Sequence, residues 1–209
     1  MLEKLACANN RNDETLNIEL ARHLCESEDK DGVNEIVSGL KNKDKKIAND
    51  CIKVLYEIGE AQPDLIADYV NDFIRLLHSP NNRLIWGAMT ALSTIVELKH
   101  PIIYENVDSI TYAIQQGSVI TVDNGVSVLA RLCVERNQYR QQILPFLMEH
   151  LKKCRPKEVA QHAERISVCI DCTNVKQFLD VLDGRIDYLS KSQQVRIVKL
   201  KNKLQSKYL

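Results

Sequence analysis

A spacing that repeats is what most constrains how this chain can fold. Ile47, Cys51, Val54, Leu55 and Ile58 follow one another at steps of 4, 3, 1 and 3 residues, which places all five on one face of an α-helix. A shift of 37 residues, from 47 to 84, finds the same pattern as Leu84, Ala88, Ala91, Leu92 and Ile95. A further 37 gives Thr121, Gly125, Val128, Leu129 and Leu132, and then 38 gives Val159, Ala163, Ile166, Ser167 and Ile170. Looser copies lie at the two ends, as Leu16, Leu20, Leu24 and as Ile197, Leu200, Leu204. A fixed period of this length is the mark of a repeat array in which each unit buries its apolar face only against its neighbours.

A second amphipathic helix precedes most of these. Leu65, Ile66, Tyr69, Val70, Phe73, Ile74 and Leu77 form the clearest, followed by Ile110, Ala113 and Ile114, by Ile143, Leu144, Leu147 and Leu151, and by Phe178, Leu179, Leu182, Ile186 and Leu189. Polar breaks at 41–46, 79–83, 117–118, 153–156 and 190–192 separate the members of each pair. Pro63, Pro80, Pro101 and Pro156 fall at or beside helix boundaries, where a missing N–H is tolerated. The unit is therefore helix A, tight turn, helix B. Glycine (7) and proline (5) are both scarce, which favours helix over strand.

The segment from Asn42 to Gly59, followed by Pro63 to Val96, resembles HEAT/armadillo-like repeats. An A helix ends in Leu76 and Leu77, a polar turn follows, and a B helix sets small Ala88 and Ala91 beside Leu92. The turn Asp and B-helix Arg usual in that family are present only in part, as Asp44 and Arg83. The resemblance covers nearly the whole chain. It implies an all-α, right-handed α-α superhelix of about five to six hairpins, one repeat domain over residues 1–209, with B helices lining a concave groove. Its expected role is a non-enzymatic scaffold that binds a protein or peptide.

Aligned by the repeat, the polar positions of the B helices form columns. The first holds Asn49, Trp86, Asp123 and Gln161. The second holds Asp50, Asn124 and His162, with Gly87 between. The third holds Lys53, Thr90, Ser127 and Arg165, with Arg131 one turn beyond Ser127. These twelve polar and aromatic residues are the expected partner-binding set. Trp86, the only tryptophan, is either an interface anchor or a piece of inter-hairpin packing. Asp123 and Asn124 follow Ile120, Thr121 and Val122, and either cap the start of their helix or face a partner.

Charge narrows the partner. There are 28 basic and 28 acidic residues, a formal net charge of zero, which disfavours a dedicated nucleic-acid binder because phosphate neutralisation needs a basic surplus. The resemblance nevertheless implies an alternative, since HEAT-like DNA alkylation-repair glycosylases use concave Trp, Asp and Arg side chains. Trp86, Asp123, Arg131 and Arg165 are the nearest counterparts, but there is a single Trp and no motif match around them. Residues 1–40 carry nine acids and four bases, a net of −5, whereas residues 190–209 carry six bases and no acid. Such opposite ends suit a monomer or a weak head-to-tail oligomer. The A–B turns hold Lys41, Lys43, Lys45, Lys46, Arg83, Lys152, Lys153, Arg155 and Lys157, so one edge should be basic.

No phosphate-binding glycine loop, dinucleotide fingerprint or nucleophile elbow is present, and no cofactor is expected. Neither a membrane span nor an export signal is visible, and the seven scattered cysteines suit a reducing compartment, so the expected location is cytoplasmic. His150, Cys154, His162, Cys169 and Cys172 fall within 23 residues, and His150 and Cys154 stand at i, i+4. These are metal-ligating types. A lone CxxC inside a helix is a weak signal, and the expectation is no metal.

Overall fold

The computed structural model describes residues 1–11 and 13–208. Among them there are no β-strands and twelve α-helices. After two 3-10 turns come α1 (Thr15–Glu26), α2 (Lys30–Gly39), α3 (Lys45–Ala61), α4 (Asp64–Ala67), α5 (Val70–Leu76) and α6 (Asn82–Glu105). These are followed by α7 (Val107–Gln116), α8 (Val119–Glu135), α9 (Asn137–Lys153), α10 (Pro156–Ile166), α11 (Val175–Ile186) and α12 (Lys191–Tyr208). The B helices are α1, α3, α6, α8, α10 and α12. The A helices are α2, the pair α4–α5, α7, α9 and α11. No helix is long and apolar enough to cross a membrane.

Two compact units form, Met1–Gly125 and Val126–Leu209. The first is a run of hairpins in which α3 packs on both α1 and α6, and α5 packs on α6. In the second, α11 packs on α9 and on α12, and α10 packs on α12. Helix α8 begins in the first unit and ends in the second.

The repeating face is the core. Cys51, Val54, Leu55 and Ile58 are sealed from solvent, as are Ala88, Ala91, Leu92 and Ile95, then Val128, Leu129 and Leu132, then Val159, Ala163 and Ile166. Each fully buried Leu or Ile contributes roughly 1.5–3 kcal/mol, and the sum over repeats opposes the entropy of ordering the chain. The A helices add Phe73 to the first unit and Phe178 to the second, both wholly buried.

Helix starts follow from short polar side chains. Asp29 accepts from the Gly32 N–H at 2.8 Å, Asp44 from Lys46 at 2.8 Å and Asn81 from Arg83 at 3.1 Å, each satisfying a donor that the first turn leaves without a partner. Pro156 opens α10 in the first turn, where it removes no needed donor.

One expectation is adjusted. The run from Leu65 to Leu77 is not one helix but breaks at Asp68–Tyr69 into α4 and α5. Pro101 does lie beside a break, since the helical backbone of α6 is interrupted at Lys99 (φ −129°, ψ 22°), two residues before the proline. Proline has no N–H and its ring crowds the carbonyl four residues back, so it suits the start of the segment after the break and not the interior of a continuous helix. Glycine marks two close approaches. A Cβ on Gly87 would lie 2.6 Å from Ile52 Cγ1, and one on Gly125 would lie 2.5 Å from Ile114 Cγ1.

Candidate functional site

In the first unit the B-helix surface of α1, α3 and α6 carries a mixed ionic and aromatic cluster. Lys53 is buried, yet its ammonium is hydrogen-bonded to Glu57 at 2.5 Å and ion-paired with Glu14 at 3.0 Å. Arg83 also binds Glu14. Burial alone would depress the Lys53 pKa, but the bonds to Glu57, Tyr56 and Glu14 outweigh it and hold the amine above its usual value. Burial likewise opposes ionisation of Glu14, and Lys53 and Arg83 override it to keep the carboxyl below the usual range.

Trp86 is half-buried at the centre of this cluster. Its ring lies 5.7 Å from that of Tyr56, and the Arg83 guanidinium sits 5.0 Å above it. The Lys53 amine lies 4.8 Å from the Tyr56 centroid. On the same B-helix surface, Asn81 Nδ2 donates to Asn49 Oδ1 at 2.8 Å, and the Cys7 N–H donates to Asp50 at 2.8 Å.

Polar residues of adjacent B helices meet across one repeat. Asn124 on α8 donates to Thr90 on α6 at 2.8 Å, one repeat away. In the second unit Arg165 on α10 donates to Ser127 on α8 at 2.7 Å, again one repeat away. Arg165 and Ser127 belong to one column, whereas Asn124 reaches across to the neighbouring column at Thr90, and in both cases part of the hydrogen-bonding capacity ties repeats together. Arg131 is exposed, and Asp123 and Gln161 are half-buried.

Two of the twelve are corrected. Lys53 does not offer its charge to a partner, because it is buried and doubly paired. His162 is completely sealed from solvent and its ring faces His150 instead. Asp123 and Asn124 are not helix caps, since α8 begins at Val119 and both lie in its second turn. Spacing shows which side of a helix a residue occupies, but not which neighbouring helix covers that side. The sequence reading missed Glu14, Tyr56 and Glu57. Tyr56 follows Asn49 and Lys53 at i+7 and i+3, so the same stripe contained it.

The basic edge is partly neutralised. Lys41, Lys43, Lys45, Lys46 and Lys157 are exposed, but Arg83 is held by Glu14, Lys152 and Lys153 by Glu149 at 3.4 and 2.8 Å, and Arg155 by Glu158.

The second unit brings together three of the five metal-ligating residues. One donor atom each from His150, Cys154 and His162 all lie within 4.8 Å of one another. His150 Nε2 and His162 Nδ1 are 2.9 Å apart. Cys169 is not part of the group; it is buried and its thiol donates to the Ile166 carbonyl at 3.1 Å. Cys172 is exposed. Burial pushes the Cys154 thiol up to about 11.

No family model matches the chain, and no curated protein matches it. Solved structures do. A designed armadillo repeat protein superposes with a TM-score of 0.68 at 12% identity, over 98% of this chain and 100% of that one. Computationally designed armadillo repeat proteins for modular peptide recognition give 0.65 at 11% identity, over 90% and 91%. A chain from a study of the interaction between cadherin and beta-catenin gives 0.60 at 14% identity, over 95% of this chain and 43% of that one. With its hairpins and its register, the chain has the all-α solenoid fold of armadillo and HEAT-like helical repeats.

Proposed function

We propose that this chain is a non-enzymatic repeat scaffold that binds a protein or peptide segment across its B-helix surface, in the cytoplasm. The observation that carries the reading is the setting of Trp86. It is a half-buried ring on a B helix, backed by Tyr56 and overlaid by Arg83, and the same B-helix surface carries the hydrogen-bonded pair Asn49–Asn81. A rigid aromatic with a guanidinium over it and amides on the same surface is the composition of interface hot spots, where a large apolar area is gained at little entropic cost. The fold agrees, since solved structures of the same fold include proteins designed for peptide recognition.

The test uses the only tryptophan as its own reporter. Peptides selected from a random display library against the immobilised chain should shift Trp86 emission on binding. Trp86→Ala, with helicity unchanged by circular dichroism, should weaken them by at least ~30-fold, equivalent to about 2 kcal/mol. Peptides that bind both proteins equally and leave the emission unmoved would remove Trp86 from the binding surface.

A further inference from the structure

We propose that His150, Cys154 and His162 form a binding site for a zinc-class divalent metal ion that staples helix α9 to helix α10. His150 lies in the last turn of α9, and Cys154 is the residue that ends that helix. His162 stands two turns into α10, on the face turned back toward α9. Only Cys154 and Arg155 separate the two helices, so the three side chains converge over a very short connection.

Three observations make this more than a chance grouping. First, the donor set is right. Two imidazole nitrogens and a thiol suit Zn2+, with bond lengths of about 2.0–2.1 Å to nitrogen and about 2.3 Å to sulfur. A tetrahedral ion then needs its ligand atoms about 3.3–3.7 Å apart. All three donors already lie within 4.8 Å, and the imidazole nitrogens at 2.9 Å need open by only a few tenths of an ångström.

Second, the backbone around the ligands is held. The Cys154 N–H donates to the His150 carbonyl at 2.8 Å, closing the turn that carries both. From α11, Arg185 donates to the carbonyl of Cys154 at 2.6 Å and also to that of Lys152. The loop is thus pinned from outside the hairpin, the pre-organisation that a metal site needs.

Third, the burial is graded. His162 is sealed from solvent, whereas His150 and Cys154 are half-buried, which gives an ion a route in and a dry inner wall. On binding, the Cys154 S–H proton leaves to solvent, the thiolate and both imidazole nitrogens donate lone pairs, and a water fills the fourth position. No electron is transferred.

The experiment is a titration of the reduced, chelator-stripped full chain with Co2+ and, in competition with a chromogenic chelator, with Zn2+. The expected result is one equivalent of Co2+ with the intense visible bands of tetrahedral cobalt and a thiolate-to-cobalt charge-transfer band. Cys154→Ser should abolish the charge-transfer band and weaken Zn2+ on the order of 100-fold, and His150→Gln should weaken Zn2+ comparably. Both positions are half-buried, so both variants should fold, which circular dichroism checks. Cys169→Ser and Cys172→Ser should change nothing. Absence of stoichiometric binding, or binding that survives both Cys154→Ser and His150→Gln, overturns the proposal and leaves a hydrogen-bonded histidine pair.

Discussion

The two units answer one structural demand with different chemistry. Both must hold a polar residue at the same register position of a B helix, Asp50 in the first and His162 in the second. Asp50 remains half-exposed and accepts a backbone N–H from Cys7. His162 is sealed and faces a second imidazole and a thiol. Elsewhere on the same B-helix surface Lys53, Glu14, Arg83 and Trp86 form a charged and aromatic cluster. Around His162 the facing donors are an imidazole and a thiol. The first arrangement leaves Asp50 and Trp86 partly exposed. The second is turned inward and suits holding a hairpin together. Equal register therefore does not mean equal role.

The largest expected effect tests whether the units are also distinct in stability. Phe178→Ala should destabilise the second unit by about 3–5 kcal/mol through the cavity it leaves. Trp86 lies in the first unit, so in a urea titration its fluorescence transition should stay near that of the unsubstituted chain while part of the far-ultraviolet ellipticity is lost earlier. Phe73→Ala should move the fluorescence transition instead. If both variants shift both signals together, the two units unfold as one.

An intermediate effect sharpens the packing side. Gly87→Ala gains about 1 kcal/mol of helix propensity, yet its new Cβ meets Ile52 at 2.6 Å. Overpacking of about 1–3 kcal/mol should outweigh the gain and lower the stability of the first unit on balance. An increased midpoint in urea would mean that α3 and α6 can separate at no cost.

The smallest effect concerns the charge cluster. Glu14 has its pKa lowered in the folded chain, so its contribution is present above the unfolded carboxylate pKa and is lost as pH falls through the lower, folded value. Glu14 is more than a third exposed, and Lys53 keeps Glu57, so Glu14→Gln should cost about 1 kcal/mol or less at neutral pH. Its deficit should vanish in acid, because there both proteins carry a neutral side chain at that position. A deficit that persists unchanged at acid pH would assign the loss to packing.

Much of the architecture was legible in the sequence because a repeat writes its own alignment. Cys51, Ala88 and Ala163 could be placed in the core before any coordinates, and all are buried. The pairing of Ser127 with Arg165 in one column was legible for the same reason, and the two bond across one repeat. What periodicity could not supply was the cover provided by the partner helix. The burial of Lys53 depends on Glu14 arriving from α1, and that of His162 on α9 folding back over it. The five-residue histidine and cysteine grouping was visible, but its division was not, because Cys169 turns into the core while Cys154 ends a helix. The break at Asp68–Tyr69 has no counterpart in the hydrophobic pattern, which runs through it unchanged.

The ties between repeats have a consequence for how the chain acquires its structure. Asn81–Asn49, Asn124–Thr90 and Arg165–Ser127 join residues 32, 34 and 38 positions apart, so each closes a loop of about one repeat. Closure entropy rises only logarithmically with loop length, and contacts of short sequence separation favour fast folding. A hairpin leaving the ribosome can dock as soon as its predecessor is in place. The bond between Arg83 and Glu14 spans 69 residues and skips a repeat. It must wait for α6, and so it fastens the first three B helices only once all of them have been made.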